Sequence, residues 1–274
     1  MDTQTQGVQR SPFLPILNIV AYLAMVLVNI LSNALPLNGR TAGEISDALP
    51  SYFTPAGYTF SIWGLIYLAL LGFTVYQALP AQRDALFQRQ IGPLFILSSL
   101  ANIGWLFAWH YGLYVVSVLA MLTLLITLIA IYLRLGIGRR HASPSWQRKL
   151  LVHVPFSLYL GWITVATIAN ISSVANYLGW NGFGIGGPTW SAIMMFAAVV
   201  IAGLLLLRRS DLAYAAVLVW ALFGIRAAYL EINLIATSAL VAAAAIALMA
   251  LFSWFRSTRT PNPSHDTMQG AQTA

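Results

Sequence analysis

Apolar runs of about 18 residues or more, each able to cross a hydrocarbon core of roughly 30 Å as a helix, recur along nearly the whole chain. In the bilayer core every backbone N–H and C=O must be paired within the protein, so such runs are confined to helices. Eight are marked out, at 14–35, 58–79, 92–109, 113–135, 150–178, 190–207, 212–229 and 233–255. With 59% hydrophobic and 8% charged residues, too little polar surface is left for a water-soluble domain. The expected fold class is all-α, a polytopic transmembrane helix bundle of about eight spans.

Charge orients the bundle. Of 14 basic residues, 12 fall on one side of an eight-span arrangement. Arg10, Arg83 and Arg89 are followed there by the group Arg134, Arg139, Arg140, Arg148 and Lys149, and then by Arg208, Arg209, Arg256 and Arg259. Only Arg40 and Arg226 remain for the other side. The positive-inside rule makes the basic side cytoplasmic and puts both termini there. The tails at 1–13 and 257–274 are then cytoplasmic, the second polar and disordered. The net charge of +7 reads as this topology signal and not as a nucleic-acid surface, so the lipid bilayer is the expected partner. The first run follows a single arginine and lacks a small-x-small cleavage site, so it reads as a mature helix. The expected location is a bacterial inner membrane, with the chain an integral, multi-pass protein.

Ionisable chemistry is sparse. There are no cysteines, no His-Glu-x-x-His and no cluster with metal-ligand spacing, so neither catalytic residues nor a metal site are expected and no cofactor is required. The single lysine, Lys149, lies in a basic loop, which excludes a retinal Schiff base at membrane depth. Polar groups inside the spans are Asn18, Asn29, Asn102, His153 and Asn170. An interhelical hydrogen bond worth about 1 kcal/mol accounts for such an asparagine as readily as a ligand does. Arg226 and Glu231, five apart near the last turn, read as an ion pair. The glycine-rich "GWNGFGIGGPTW" at 179–190 has no lysine and reads as a flexible connector.

Aromatic residues are abundant, with nine Trp, twelve Tyr and thirteen Phe. Trp146, Trp180, Trp190 and Trp254 fall at span ends, where an interfacial belt explains them. Trp105 and Trp162 instead lie about 18 to 20 Å from the basic end of their helices, past the midplane. Asn102, Trp105 and Trp109 share one helix face, and Tyr159, Trp162, Ala166 and Asn170 share another. Trp63 and Tyr67, four apart, sit at similar depth in the second span, below Tyr58. Such stripes suit a filled aromatic core as well as a cavity. Buried Trp and Tyr need partners for their N–H and O–H, and three helices offering them together suit a flat, partly polar ligand.

These residues carry a resemblance to the tryptophan-rich sensory protein family, also called the translocator protein (TspO/MBR) family. Pro55, Trp63 and Tyr67 match the family's Pro-x7-Trp-x3-Tyr lead into its second helix. Asn102 and Trp105, followed by Phe107 and Trp109, match its third helix. Tyr159, Trp162 and Asn170 in "YLGWITVATIAN" match its fifth. The chain departs from the family at Thr54 and Leu158, where prolines are usual, and at Thr59, where phenylalanine is usual. The resemblance covers 14–178 and implies a five-helix translocator-like bundle there, with 179–256 forming three additional transmembrane helices.

It further implies a receptor or sensor for a flat hydrophobic molecule, a porphyrin or other tetrapyrrole or a sterol, which the protein would also transport, and it implies a homodimer. The implied pocket residues are Tyr58, Trp63, Tyr67, Asn102, Trp105, Trp109, Tyr159, Trp162, Ala166 and Asn170, beneath a loop broken by Pro55 and Gly57. The alternatives are a secondary transporter of a small organic solute, an enzyme degrading a bound tetrapyrrole, and a structural assembly partner.

Overall fold

The computed structural model describes residues 13–35, 37–49, 51–139 and 144–258. Arg10, Arg140, Arg259 and nearly all of the two expected tails lie outside the described residues. The helices are α1 (Phe13–Ala34), a short α2 (Ala42–Ala48), α3 (Ile62–Ala78), α4 (Leu86–His110), α5 (Tyr114–Arg134), a single turn α6 (Trp146–Arg148), α7 (Val154–Tyr177), α8 (Gly187–Arg209), α9 (Leu212–Ala228) and α10 (Asn233–Thr258). Among the described residues there is no strand.

The expected membrane helices are present. Among the described residues, seven segments are long and apolar enough to span a bilayer. The eighth, α9, is apolar but has 17 residues, a length of about 25 Å near the lower limit for a spanning helix. Two boundaries differ from the sequence expectation. A 3-10 turn, Gly57–Ser61, precedes α3, and α4 starts at Leu86, so Arg89 is helical and not part of a loop. Lys149–His153 forms a π turn between α6 and α7. Pro155 has no N–H to offer Leu151, and the widened turn before it lets the Val154 N–H reach the Lys149 carbonyl.

Five helices pack as a bundle: α4 lies against α1 and α5, and α7 against α3 and α5. Helices α8 and α9 both pack on α10, and α9 joins this trio to the bundle along α7. Gly161 allows that junction, because a Cβ there would sit 3.0 Å from Val217 Cβ and 3.2 Å from the Tyr214 carbonyl of α9. In lipid, where water drives no helix association, such close backbone approach is a main source of attraction.

At the basic end, Arg209 donates to the Ile137 carbonyl at 3.0 Å and stacks its guanidinium 5.2 Å from the Tyr132 ring centre. Asp211, in the turn between α8 and α9, caps α9 by accepting from the Tyr214 N–H at 3.1 Å. Its other oxygen accepts from Ser157 of α7 at 2.7 Å. Burial pushes this carboxyl above its ordinary range, opposed by those hydrogen bonds. At the opposite end Arg226 donates to the Ala236 carbonyl at 3.0 Å, and among the described residues no ion pair joins it to Glu231. The guanidinium thus finds its acceptor in the first turn of α10, and the five-residue spacing to Glu231 does not identify its partner.

Candidate functional site

The segment between α1 and α3 folds back over the bundle. Its α2 begins with a reciprocal cap: Thr41 Oγ1 accepts from the Glu44 N–H at 3.3 Å, while the Glu44 carboxylate accepts from the Thr41 N–H at 2.7 Å. These bonds hold the Glu44 carboxyl below its ordinary range, the backbone N–H contributing most. Below the helix, Ile45 and Leu49 pack with Trp109 of α4 and Val174 of α7. Two hydrogen bonds fasten the cover to α4: Trp109 Nε1 to the Ala42 carbonyl at 3.2 Å, and Asn38 Nδ2 to the His110 carbonyl at 3.0 Å.

A cavity lies directly beneath. Ala42 and Ser46 of α2 form its roof together with Thr54 and Pro55. Phe60 and Trp63 close one side, and Trp105 and Trp109 of α4 another. The third wall is a stripe on α7, where Trp162, Val165 and Ala166 continue into Ala169, Asn170 and Ser173. Trp63 and Trp162 meet edge to face with centroids 6.2 Å apart, and Phe60 meets Trp162 the same way at 5.7 Å. Trp105 and Trp109 stack at 6.0 Å. Such pairs add about 0.5–1.5 kcal/mol each beyond burial and hold the rings rigid.

The cavity has a distinct polar character. The indole N–H groups of Trp105 and Trp162, the Asn170 carbonyl oxygen and the Thr54 hydroxyl are all buried without a hydrogen-bond partner among the described residues. Asn170 spends only its amide nitrogen, which donates to Ser117 Oγ at 3.1 Å. Leaving one buried polar group unpaired costs roughly 1–3 kcal/mol, and four of the residues that line this one hollow carry such a group. The hollow measures about 40 Å³, which is room for about three waters. Drug-sized ligands occupy roughly 300–1,000 Å³. A planar molecule of that size does not fit this hollow as it stands.

The ten pocket residues proposed from sequence separate into two groups. Trp63, Trp105, Trp109, Trp162, Ala166 and Asn170 line the cavity, as does Pro55 of the loop. Asn102 and Tyr159 sit behind the wall in a buried chain. Asn29 Nδ2 donates to Asn102 Oδ1 at 2.8 Å, and Asn102 Nδ2 donates to the Tyr159 hydroxyl at 3.1 Å. This chain ties α1, α4 and α7 together. Tyr67 stacks under Trp63 at 5.4 Å and supports it. Tyr58 is 52% exposed and packs edge to face on Trp220, while Gly57 opens the 3-10 turn. Sequence reasoning expected the long loop after the first span to cover the site but missed the helix α2 within it. Its signal was present in "TAGE" at 41–44, a Thr-x-x-Glu capping box. It also missed Val165, Ala169 and Ser173, which continue the Trp162 stripe at helical spacing.

Helices α8 and α9 and the residue that follows α9 hold the loop that roofs the cavity. The Ala56 N–H donates to the Gly224 carbonyl of α9 at 3.0 Å, and Trp220 Nε1 donates to the Thr59 carbonyl at 3.0 Å. Ser191 of α8 donates to the Tyr52 carbonyl at 2.6 Å, and the Tyr229 hydroxyl donates to the Ser51 carbonyl.

Among known families, the model described as TSPO-like protein matches residues 15–252. The match runs through the last three helices as well as the 14–178 region that carries the motifs. No curated protein and no solved structure matches the chain.

Proposed function

Since the chain belongs to the TSPO-like protein family, we propose that it is a membrane receptor for a flat, largely apolar molecule of the tetrapyrrole class, held between the α4 and α7 indoles. The observation that supports this most is that four residues lining one mostly apolar cavity, Thr54, Trp105, Trp162 and Asn170, each carry a buried polar atom without a partner among the described residues. Two N–H donors from different helices and two oxygens suit a planar ligand with nitrogen and oxygen at its rim and an apolar face for stacking. The ligand reaches the site when α2 and residues 54–55 withdraw, and their return shields it from water. The basic end faces the cytoplasm by the positive-inside rule, so the covered cavity opens on the opposite side of a bacterial inner membrane.

Titrating protoporphyrin IX into detergent-purified protein while following tryptophan fluorescence tests this reading. Saturable quenching is expected for the wild type, and Trp63→Leu and Trp162→Leu should fold yet lose at least tenfold in apparent affinity. Equal affinity in all three proteins would overturn the assignment.

A further inference from the structure

A second cavity of about 450 Å³ lies at the lid end, on the other side of α7. Its volume is within the roughly 300–1,000 Å³ range of small-molecule sites without any movement. The glycine-rich connector that reads in sequence as a flexible link forms one wall. Trp190 Nε1 donates to the Gly182 carbonyl at 2.8 Å, and Trp190 and Trp180 pack with centroids 5.3 Å apart, so the connector is fastened by its own aromatics. Tyr52 and Phe53 of the roofing loop form the opposite wall, while Thr54 and Pro55, the next two residues, line the first cavity.

The lining separates by chemistry. Ile171, Ala175 and Met194 supply an apolar flank from α7 and α8. Ser172, Asn176 and Asn181 supply a hydroxyl and two amides. Gly186 and Gly187, where α8 begins, are also in the wall. The first backbone N–H groups of a helix lack intrahelical partners and carry a partial positive charge. Pro188 has no N–H to offer, so in this wall the Gly187 N–H is the one that favours an oxygen-rich group. No residue of the lining carries a charge, so a charged headgroup would enter without a counter-ion. Ile171, Trp180 and Ile185 are exposed at the rim. In a membrane-spanning chain these rim residues sit at the level where the bilayer meets water, within reach of leaflet lipids.

We propose that this cavity is a second binding site, specific for an uncharged single-chain amphipath drawn from the leaflet at the lid end. Its acyl chain lies along the α7 and α8 flank, and its hydroxyl or ester oxygens meet Asn176, Asn181 and the start of α8. The occupant touches Tyr52 and Phe53, and so adjoins the loop that covers the tetrapyrrole cavity. The site does not depend on the ligand assigned to that first cavity.

Native mass spectrometry of the purified full chain with added 1-oleoylglycerol tests the proposal, with sodium oleate as the charged comparison. One 1-oleoylglycerol should be retained saturably per chain, at least tenfold more tightly than oleate. Ala175→Trp and, separately, Ser172→Phe fill the cavity from α7 and should each reduce retention at least tenfold. Ala166→Trp, which fills the first cavity, should leave retention unchanged and reduce only protoporphyrin IX binding. Two filling variants keep the test decisive if one fails to fold, as judged by thermal unfolding. The proposal is overturned if the wild type retains no 1-oleoylglycerol, or if both filling variants retain it as the wild type does. It is likewise overturned if oleate binds equally well, if Ala166→Trp abolishes retention, or if protoporphyrin IX displaces the amphipath by direct competition in an Ala166→Trp background.

Discussion

Gly224 of α9 lies against Thr59, so closely that a Cβ on the glycine would land on the threonine hydroxyl and within 2.9 Å of its Cβ. The contact brings the C-terminal helices onto the turn that leads into α3, beside the Trp220 hydrogen bond to the Thr59 carbonyl. Thr59 is fully buried and β-branched, so it has little room to yield. Gly224→Ala is therefore expected to destabilise the protein by about 1–3 kcal/mol through overpacking. Thr59→Ala in the same chain removes two of the three atoms the new methyl would meet, and should restore part of the loss. Thermal unfolding of the single and double variants measures this coupling.

Asn102 bonds across to α1 and α7 and is not among the residues that line the first cavity. Asn102→Leu breaks bonds to both Asn29 and Tyr159. Membrane hydrogen bonds average about 0.6 kcal/mol, with a maximum near 1.7, so a loss of roughly 1–2 kcal/mol is expected for the pair. Porphyrin affinity should change less than threefold, because Asn102 lies behind the cavity wall. A tenfold loss of affinity with stability intact would move Asn102 into the site.

The legible part of the fold follows from the bilayer, which enforces helices wherever apolar runs are long. Spans such as 14–35 and 113–135 accordingly match α1 and α5 to within a residue at each end. Helical spacing also placed Trp105, Trp109, Trp162, Ala166 and Asn170 on faces that meet at the first cavity. It could not separate Asn102 from Trp105, because three residues along a helix stay on one broad face and the neighbouring helix decides which of them fronts the hollow. The loop fastening was illegible for a different reason. It joins Ser51 to Tyr229 and Thr59 to Trp220, more than 160 residues apart in the first case and in the second, with no local pattern to mark either pair.

Asp211 joins α7 to the start of α9 in the turn at the basic end. Asp211→Ala removes the cap and leaves the Ser157 hydroxyl without its acceptor, so a loss of about 1–3 kcal/mol is expected. Asp211→Asn keeps a capping oxygen and removes a carboxylate that burial disfavours. Its stability should lie within about 1 kcal/mol of the wild type. Denaturation midpoints of the two variants provide the comparison.

The α2 cap gives the roof a dependence on pH. Glu44 has a carboxyl pKa lowered by its bonds to Thr41, so the folded roof holds that proton less tightly than the unfolded chain does. The stabilisation is present above the ordinary carboxylate range and is lost as pH falls through the lowered folded value. Amide hydrogen exchange over Ala42–Ala48, corrected for its intrinsic pH dependence, should lose protection in acid in the wild type. Glu44→Gln should remove most of that pH dependence.

The central claim is that Trp63, Trp105 and Trp162 wall one cavity that receives the ligand. It is tested most directly by absorbance titration of protoporphyrin IX into the wild type, Ala166→Trp and Val115→Trp, the last an exposed position on α5. Ala166→Trp should bind at least tenfold more weakly, and Val115→Trp should match the wild type. Identical affinities in all three folded proteins would contradict the account.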